Sequence, residues 1–464
     1  MKKFILSKKV FLILLITIVS FPMLAQQKDT LQNNLTKQKK GTIIKKGLNF
    51  GPLPIVAYDA DKGLQLGGLL NIYDFGDGAL YPNPYQQFYI EASFYTKGSQ
   101  FYTLSYDTKT LLPNTRFSAA ATYMRDMPYD FYGFNGYESF YDNDWIKSGI
   151  DNPDLPYYTS FYRLDKQTIY LKADLTGKIG DSHFYWQAGY HFTWQKIENV
   201  DIDRMNEGKN DNKKYPTTMP TLFENYKKWG IIPEKEANGG NSSELRLGVT
   251  YDTRDIENSP NKGIWAEAQL LMAPGFLGTT NPYYRYNLVF RNYLPIVYNK
   301  LTFAYRLNYL GTIGDYAPFY TLWQYPVTGV GFDKYGVGGY RTVRGMMRSR
   351  MLGLDVGFYN AEFRWTFTEF GLLHQNIELA LSAFNDGAIV TKDYDMTFDG
   401  TETDRAEYNT YIAKGKSHDQ FHFTAGMGFR FIMNRNFIVA FEYGHPFDKG
   451  DGNGSFYINS GFLF

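Results

Sequence analysis

Apolar and polar residues alternate in short segments along almost the whole chain. Between residues 244 and 252, the odd positions carry Leu, Leu, Val and Tyr, and the even positions carry Glu, Arg, Gly, Thr and Asp. The same period of two recurs from 359 to 367 and from 421 to 431. Successive side chains of a β-strand point to opposite faces, so this period predicts strands with one apolar and one polar face.

The alternation predicts about sixteen such strands, an even number that is typical of antiparallel membrane barrels. Their predicted spans are 48–58, 63–73, 85–97, 99–108, 115–126, 161–179, 182–196, 243–253, 263–273, 283–293, 300–311, 355–367, 376–386, 420–432, 436–445 and 455–464.

The connections between these strands differ in length according to the side on which they lie. Segments 127–160, 197–242, 312–354 and 387–419 are long, and all four fall on one side of the predicted sheet. The connections on the opposite side are short. Outer-membrane barrels have long extracellular loops and short periplasmic turns, and a soluble β-sandwich has no reason to segregate its loops in this way.

The first residues have the pattern of a secretory signal. Lysines at positions 2, 3, 8 and 9 precede an apolar run from 10 to 19, and Ala25 is a candidate cleavage position. The apolar run is too short to span a bilayer comfortably, which favours a cleaved signal over a membrane anchor. We therefore expect a signal peptide at 1–25, a short polar periplasmic lead-in at 26–47, and a barrel at 48–464.

Composition agrees with a transmembrane barrel. Aromatic residues make up 18% of the chain, and there are 44 glycines and no cysteine. Barrels need aromatic girdles at both interfaces and glycines where strands bend. The predicted fold is therefore all-β: a transmembrane antiparallel barrel, integral to the bacterial outer membrane and surrounded by its lipids. The net charge of +1 argues against a nucleic-acid partner.

The sequence ends Gly461-Phe462-Leu463-Phe464. An aromatic residue at the end of an apolar-out strand is a common ending of outer-membrane barrels. We expect Phe462 and Phe464 to act as a C-terminal barrel signal on the last strand.

No motif predicts catalysis. The six histidines have no HExxH or other ligand spacing, and there is no G-x-S-x-G or phosphate-loop pattern. The expectation is a protein that is not an enzyme and that has no cofactor and no metal.

The segment Gly338-Gly339-Tyr340-Arg341-Thr342-Val343-Arg344-Gly345-Met346 lies between the predicted eleventh and twelfth strands. It resembles the BamA/TamA superfamily, the bacterial surface antigen group, which has a sixteen-stranded barrel whose sixth extracellular loop folds back into the lumen. Residues 130–135 and 251–263 resemble two further motifs of the family. The resemblance covers roughly residues 48–464.

In that family the tip of the sixth loop carries Val-Arg-Gly followed by an aromatic residue, and its arginine pairs with acids on the following strands. The resemblance implies that Val343, Arg344, Gly345 and Met346 form the tip here, with Met in the aromatic place. Glu362 and Asp386 match the acids, and strand parity independently puts both on the lumen face. Such a pair would lock the loop inside the barrel. The alternative is that Arg344 is solvated like other loop arginines.

The resemblance implies a role in outer-membrane protein assembly or polypeptide translocation. Family members that assemble or translocate polypeptides carry periplasmic domains before the barrel. The lead-in at 26–47 is too short for such a domain. We therefore also expect a separate periplasmic partner protein or an outer-membrane complex. The alternative is a porin-like channel or structural barrel that passes small solutes or anchors a surface complex. A third possibility is a docking platform formed by exposed aromatics of loops 127–160 and 197–242.

Overall fold

The computed structural model describes residues 44–59, 63–81, 83–96, 98–142, 159–211, 214–217, 220–257, 259–327, 336–372, 375–433, 437–460 and 462–464. The predicted signal at 1–25 and most of the lead-in lie outside the described residues, and the predicted boundary of the barrel at 48–464 stays a prediction. Among the described residues, no helix combines the length and the apolar character needed to cross a membrane.

Sixteen strands form one sheet in which each strand pairs with the next along the chain, and every pair is antiparallel. The strands are β1 Leu48–Asp59, β2 Gly63–Asp74, β3 Gln86–Tyr95, β4 Gln100–Leu112, β5 Thr115–Asp130, β6 Arg163–Lys178, β7 Phe184–Asn199, β8 Gly239–Asp252, β9 Gly263–Ala273, β10 Tyr283–Val297, β11 Leu301–Thr312, β12 Asp355–Leu372, β13 Gln375–Lys392, β14 His422–Met433, β15 Phe437–Pro446 and β16 Ser455–Ser460. The predicted number and order of strands are confirmed.

The four long loops all lie on one side of the sheet, as predicted. We call them L3 (131–162), L4 (200–238), L6 (313–354) and L7 (393–421), and each follows an odd-numbered strand. They are shorter than predicted because β5, β7, β8 and β13 extend several residues further toward this side. Among the described residues of these loops there are three short α-helices: α1 Ile202–Asn206 and α2 Leu222–Lys228 in L4, and α3 Arg405–Ile412 in L7.

The two faces of the sheet have opposite character. On β8, Leu245, Leu247 and Val249 are exposed, whereas Glu244 and Arg246 are buried. Charged side chains are buried and apolar ones exposed because the sheet curls around a polar interior and presents its apolar face outward. Contacts between distant strands span that interior: the Lys109 ammonium on β4 lies 3.1 Å from the Glu257 carboxylate after β8. The sheet is thus a barrel with a polar lumen.

The long loops pack on one another over the end of the barrel. Their buried aromatic and aliphatic side chains form a cluster with the strand ends on the loop side. We call this cluster the loop cluster. Its members from L3, L4, L6 and L7 include Phe131, Phe134, Phe223, Tyr226, Trp229, Phe319, Trp323, Tyr394 and Tyr411. The suggestion that aromatics of 127–160 and 197–242 form an exposed docking platform is therefore wrong for these side chains, because burial against the neighbouring loops removes them from the surface.

The last strand differs from its prediction. It was expected to reach 464, but β16 ends at Ser460 and has only six residues. Phe464 is 6% exposed and packs with Tyr293 and Ala304 on the lumen face of β10 and β11. Phe462 packs with Ala380, Ile432 and Ile438. The segment turns into the lumen because the inner wall offers its rings apolar contacts that a continued strand would not make.

Candidate functional site

The tip of L6 lies deep inside the barrel and is centred on Arg344, whose side chain has no exposed surface. The Arg344 Nε donates to Asp386 Oδ2 at 2.8 Å and its Nη2 donates to Asp386 Oδ1 at 3.0 Å, a bidentate pair. Its Nη1 donates to Glu362 Oε2 at 2.6 Å and to Glu442 Oε1 at 2.8 Å. The backbone N–H of Arg344 also donates to Asp386, at 3.0 Å. One residue of L6 thus contacts carboxylates on β12, β13 and β15.

Each acid reaches the lumen because of its parity on its strand. Glu362 lies between the outward Ala361 and Phe363, and Asp386 shares its parity with the buried Ser382. Both acids are completely buried. The structure brings the tip and both predicted acids together.

Sequence reasoning missed the third acid, Glu442, as a partner of Arg344. Glu442 follows the outward Phe441 on β15, so parity could place it inside, but nothing in the sequence linked it to a residue 98 positions away.

Two more arginines complete the cluster. The Arg430 Nη2 donates to Glu442 Oε1 at 2.8 Å, and the Arg364 Nε donates to Glu362. Three buried guanidinium groups therefore face the three carboxylates of Glu362, Asp386 and Glu442, and their formal charges cancel. Buried charges are tolerated when they are paired and hydrogen-bonded in this way.

The electrostatics of the site hold Arg344 in its charged form. Burial acts to lower the pKa of the Arg344 guanidinium, but the carboxylates of Asp386, Glu362 and Glu442 outweigh burial and raise that pKa. The guanidinium carbon also lies 3.6 Å from the centre of the Phe384 ring, a cation–π contact.

The neighbours of Arg344 fix the backbone of the tip. Gly345 has φ of +92°, and a Cβ at this position would lie 2.5 Å from the carbonyl carbon of Gly444 on β15. Its N–H donates to the Tyr457 hydroxyl on β16 at 3.0 Å. Only glycine fits here, because the backbone is in the left-handed region and lies too close to β15 for a Cβ atom.

Val343 and Met346 are both completely buried in an apolar cluster with residues of β12 and β13. The resemblance puts Met346 in the aromatic place of the family motif, and in the structure its side chain packs within this cluster. A flexible, unbranched Met side chain suits an irregular gap of this kind.

The other L6 arginines are not free in solvent either. The Arg350 Nη1 donates to the Gly136 carbonyl at 2.8 Å and its Nη2 donates to the Ser139 carbonyl at 3.1 Å. The Arg348 Nε donates to Asp130 Oδ2 at 2.9 Å. L6 is therefore bound to the inner wall through its tip, to L3 through Arg350 and to the end of β5 through Arg348.

A second polar cluster lies at the loop side of the lumen. The His422 ring is stacked on Tyr137 with centroids 3.7 Å apart, and its two nitrogens lie 2.6 Å from Asp451 and 2.9 Å from Asp419. This cluster joins L3, L7 and the connection before β16. Within the part of the chain that the structure describes, no group of three or more His, Asp or Glu side chains could hold a metal ion.

The turn side of the lumen is more open. A cavity of about 840 Å³ is bounded by β1 and β2 on one side and by Phe462, Leu463 and Phe464 on the other. Within the described residues, β1 pairs only with β2 and β16 pairs only with β15. In the described part of the sheet, β1 and β16 thus each present one edge that pairs with no further strand, and the cavity is lined by β1 and by the segment that follows β16.

A lipid-facing apolar surface, a lumen lined by paired charges and a long loop held inside define an integral outer-membrane barrel. The chain belongs to the Omp85 superfamily, whose domain matches residues 86–464. The resemblance to BamA/TamA-type barrels is thereby confirmed, as is the location in the outer membrane. No curated sequence matches the chain significantly.

The solved structures that are similar to this chain include BamA and CdiB proteins. BamA from Haemophilus ducreyi lacking POTRA domains 1–3 aligns with a TM-score of 0.50 and 15% identity, over 89% of this chain and 70% of that one. CdiB from Escherichia coli aligns with a TM-score of 0.52 and 10% identity, over 90% of this chain and 62% of that one. At such identities the likeness concerns the fold.

Proposed function

We propose that this barrel acts in the assembly of outer-membrane proteins or in polypeptide translocation, rather than as a pore for small solutes. The observation that carries the proposal is the contrast between a filled lumen and two unpaired strand edges. Membership of the Omp85 superfamily and a fold like that of BamA and CdiB support the same class of function.

The filled lumen argues against the porin-like alternative. The tip of L6 occupies the space between β12, β13 and β15, and the loop cluster lies above it. A porin needs a water-filled path lined by side chains that release the solute again. Here the polar side chains of the site are bonded to one another.

The strand edges offer a different route. The backbone N–H and C=O groups of an unpaired strand can accept a further strand from another chain. β1 has twelve residues, whereas β16 covers only Val439–Gly444 of β15. A client polypeptide would add to β1 as a strand, beside the cavity on the turn side.

In this proposal Val343, Arg344, Gly345 and Met346, with Glu362 and Asp386, keep L6 fixed while an edge is used. A barrel that must open along one seam needs rigid support elsewhere, and the L6 contacts tie β12, β13 and β15 together. The partner that would deliver clients is a separate periplasmic protein or outer-membrane complex.

Depletion of the protein from its host tests the proposal. We expect the folded, heat-resistant forms of other outer-membrane barrels to decrease, and wild-type chain supplied in trans to restore them. A variant with Arg405→Ala, an exposed loop arginine, serves as control and restores them equally. Unchanged levels of all other barrels and of exported polypeptides after depletion would contradict the proposal.

A further inference from the structure

The hairpin formed by β12 and β13 extends beyond β11 on the turn side of the barrel. β11 pairs with β12 only as far as Trp365, and the Lys300 carbonyl just before β11 accepts from the Thr366 N–H at 2.8 Å. β12 then continues to Leu372. We call residues 367–372 the overhang. At about 3.3 Å per residue, the overhang is about 20 Å long.

One edge of the overhang pairs with no strand among the described residues. The overhang pairs with β13 alone, whereas β13 also pairs with β14 from Ile377 onward. In an antiparallel strand, alternate residues direct their N–H and C=O groups to opposite sides. Part of the backbone groups of the overhang therefore points away from β13, to the side on which β11 has ended. Such a row of groups is a template for a further strand.

The free edge, whose residues the structure describes in full, lacks the proline and lysine residues that commonly protect a strand edge. A bulge at Phe367 lies at the base of the overhang, and Thr368 to Leu372 beyond the bulge keep a regular register with β13. The side chains of Phe370 and Leu372 are exposed. A regular edge with exposed apolar side chains indicates an interaction surface.

The overhang and the facing part of β13 carry negative charge. Glu369 and Glu378 lie at directly opposite positions, and residues 366–386 contain no Lys or Arg. Like charges at opposite positions of a hairpin repel each other. Lys or Arg on a neighbouring strand would offset this repulsion, and Lys300 lies only at the base of the overhang. The edge therefore fits a basic segment.

We propose that the free edge of the overhang binds an extended, basic segment of a separate periplasmic protein, which adds to β12 as a further strand. The identity of the occupant as a periplasmic partner rests on the proposed function, whereas strand addition at this edge can be tested without it. Backbone hydrogen bonds would provide affinity, and alternate side chains would provide specificity.

The alternation of the overhang defines the bound strand. Phe370 and Leu372 share one face of the hairpin, and Glu369 lies on the other. A strand with apolar residues on one face and Lys or Arg on the other matches both faces. The site is separate from the edges of β1 and β16, so a partner bound here leaves those edges free for a client.

A labelled synthetic peptide in which Lys and Val alternate is the probe, and its binding to purified full-length protein in lipid nanodiscs is measured by fluorescence anisotropy. We expect Glu369→Lys/Glu378→Lys to bind this peptide at least about tenfold more weakly than wild type, because like charges then meet at the edge. Asp181→Lys changes an exposed acid in the turn between β6 and β7, and it should leave the affinity unchanged. A peptide with Glu in place of Lys should prefer the Glu369→Lys/Glu378→Lys variant.

A single thiol locates the bound peptide, since the chain has no cysteine. Thr368→Cys places the thiol on the overhang, and Asp181→Cys places it on the control turn. A Lys-Val peptide whose one Cys is activated as a pyridyl disulfide transfers its sulfur to a nearby protein thiolate and releases pyridinethione. We expect this exchange to be faster at Thr368→Cys than at Asp181→Cys, because binding brings the two sulfur atoms together. Heat-modified gel mobility identifies the variants that have folded, and only these are compared.

The proposal is overturned if folded Glu369→Lys/Glu378→Lys protein binds the Lys-Val peptide as well as wild type, or if the peptide reacts equally fast at both thiols. A Thr368→Cys thiol that a small charged reagent cannot reach in nanodiscs would place the edge in lipid and also overturn it. Homodimers of Thr368→Cys, linked by a disulfide in the absence of peptide, would assign the edge to a second copy of the chain and contradict the proposal.

The depletion experiment separates this site from the proposed function. Loss of other folded barrels on depletion, without binding at the overhang, would remove the site and leave the proposed function intact. Binding that depends on Glu369 and Glu378, without any depletion phenotype, would support the site and contradict the proposed function.

Discussion

At the scale of single residues, the Arg344 guanidinium contacts carboxylates from three strands and has no exposed surface. The sequence pointed to Arg344, Glu362 and Asp386 because a short motif and strand parity agreed. The sequence did not assign Glu442 to the same site, because no local sequence pattern indicates which residues come close together across a lumen. The resemblance put Met346 at the tip of L6, but only the structure shows its packing against β12 and β13.

Replacement of Arg344 by Ala should destabilise the folded barrel by about 3–5 kcal/mol, because it leaves buried carboxylates without their partner. Arg344→Lys should retain part of the stability, since one ammonium cannot bond Asp386 at both oxygens. The measurement is the urea midpoint of unfolding, followed by heat-modified gel mobility. Arg405→Ala is the control, and an Arg344→Ala midpoint equal to that of the control would show that the cluster adds no stability.

Gly345→Ala should also destabilise the tip of L6, by more than about 1–3 kcal/mol, because positive φ and a steric clash act together. A matched control exists: Gly278 has φ of +87°, but a Cβ there would have nothing within 4 Å. Gly278→Ala therefore reports how much stability is lost through the positive φ alone. If the two variants unfold at the same urea concentration, the close approach of Gly345 to Gly444 does not constrain the loop.

At the scale of elements, alternation predicted all sixteen strands because each has one lipid-facing and one lumen-facing side. It failed at β16, since Phe462 and Phe464 keep the apolar period whether they face lipid or the lumen. It also left the loop cluster unpredicted, because loop aromatics have no period that reveals contacts between L3, L4, L6 and L7. The role of Phe462 and Phe464 as a barrel signal stays a prediction.

The turn between β8 and β9 gives a prediction about pH. Its Glu257 accepts from the Arg116 Nη1 at 2.6 Å and from the Lys109 Nζ at 3.1 Å. Burial acts to raise the pKa of Glu257, but Arg116 and Lys109 outweigh it and lower that pKa from 4.5 to about 2. A lowered pKa stabilises the docked turn above pH 4.5, and this stabilisation is lost as pH falls toward 2.

Ser259 is buried in this turn, so Ser259→Cys provides a reporter in a chain without cysteine. We expect a dithiopyridine reagent, which reacts with thiols in acid, to label it slowly at neutral pH and faster below pH 4.5. Addition of Glu257→Gln should give fast labelling at neutral pH. Equal rates with and without Glu257→Gln at neutral pH would contradict docking of the turn by this carboxylate.

At the scale of the whole molecule, the described residues fill the barrel toward the loop side and leave a cavity toward the turn side. The loop cluster and L6 fill one end, whereas the cavity beside β1 lies at the other. Under the proposed function, this asymmetry favours a client polypeptide that enters from the turn side and leaves along a strand edge. The same asymmetry is the reason that we expect no porin-like conductance from this barrel.

Planar-bilayer recording of the purified wild-type protein beside Arg344→Ala tests the central claim most directly, namely that L6 is held in the lumen and blocks it. The account predicts no stable open channel for wild type and larger, noisier conductance for Arg344→Ala, because L6 loses its anchor. Steady, porin-like conductance of wild type that Arg344→Ala leaves unchanged would contradict it.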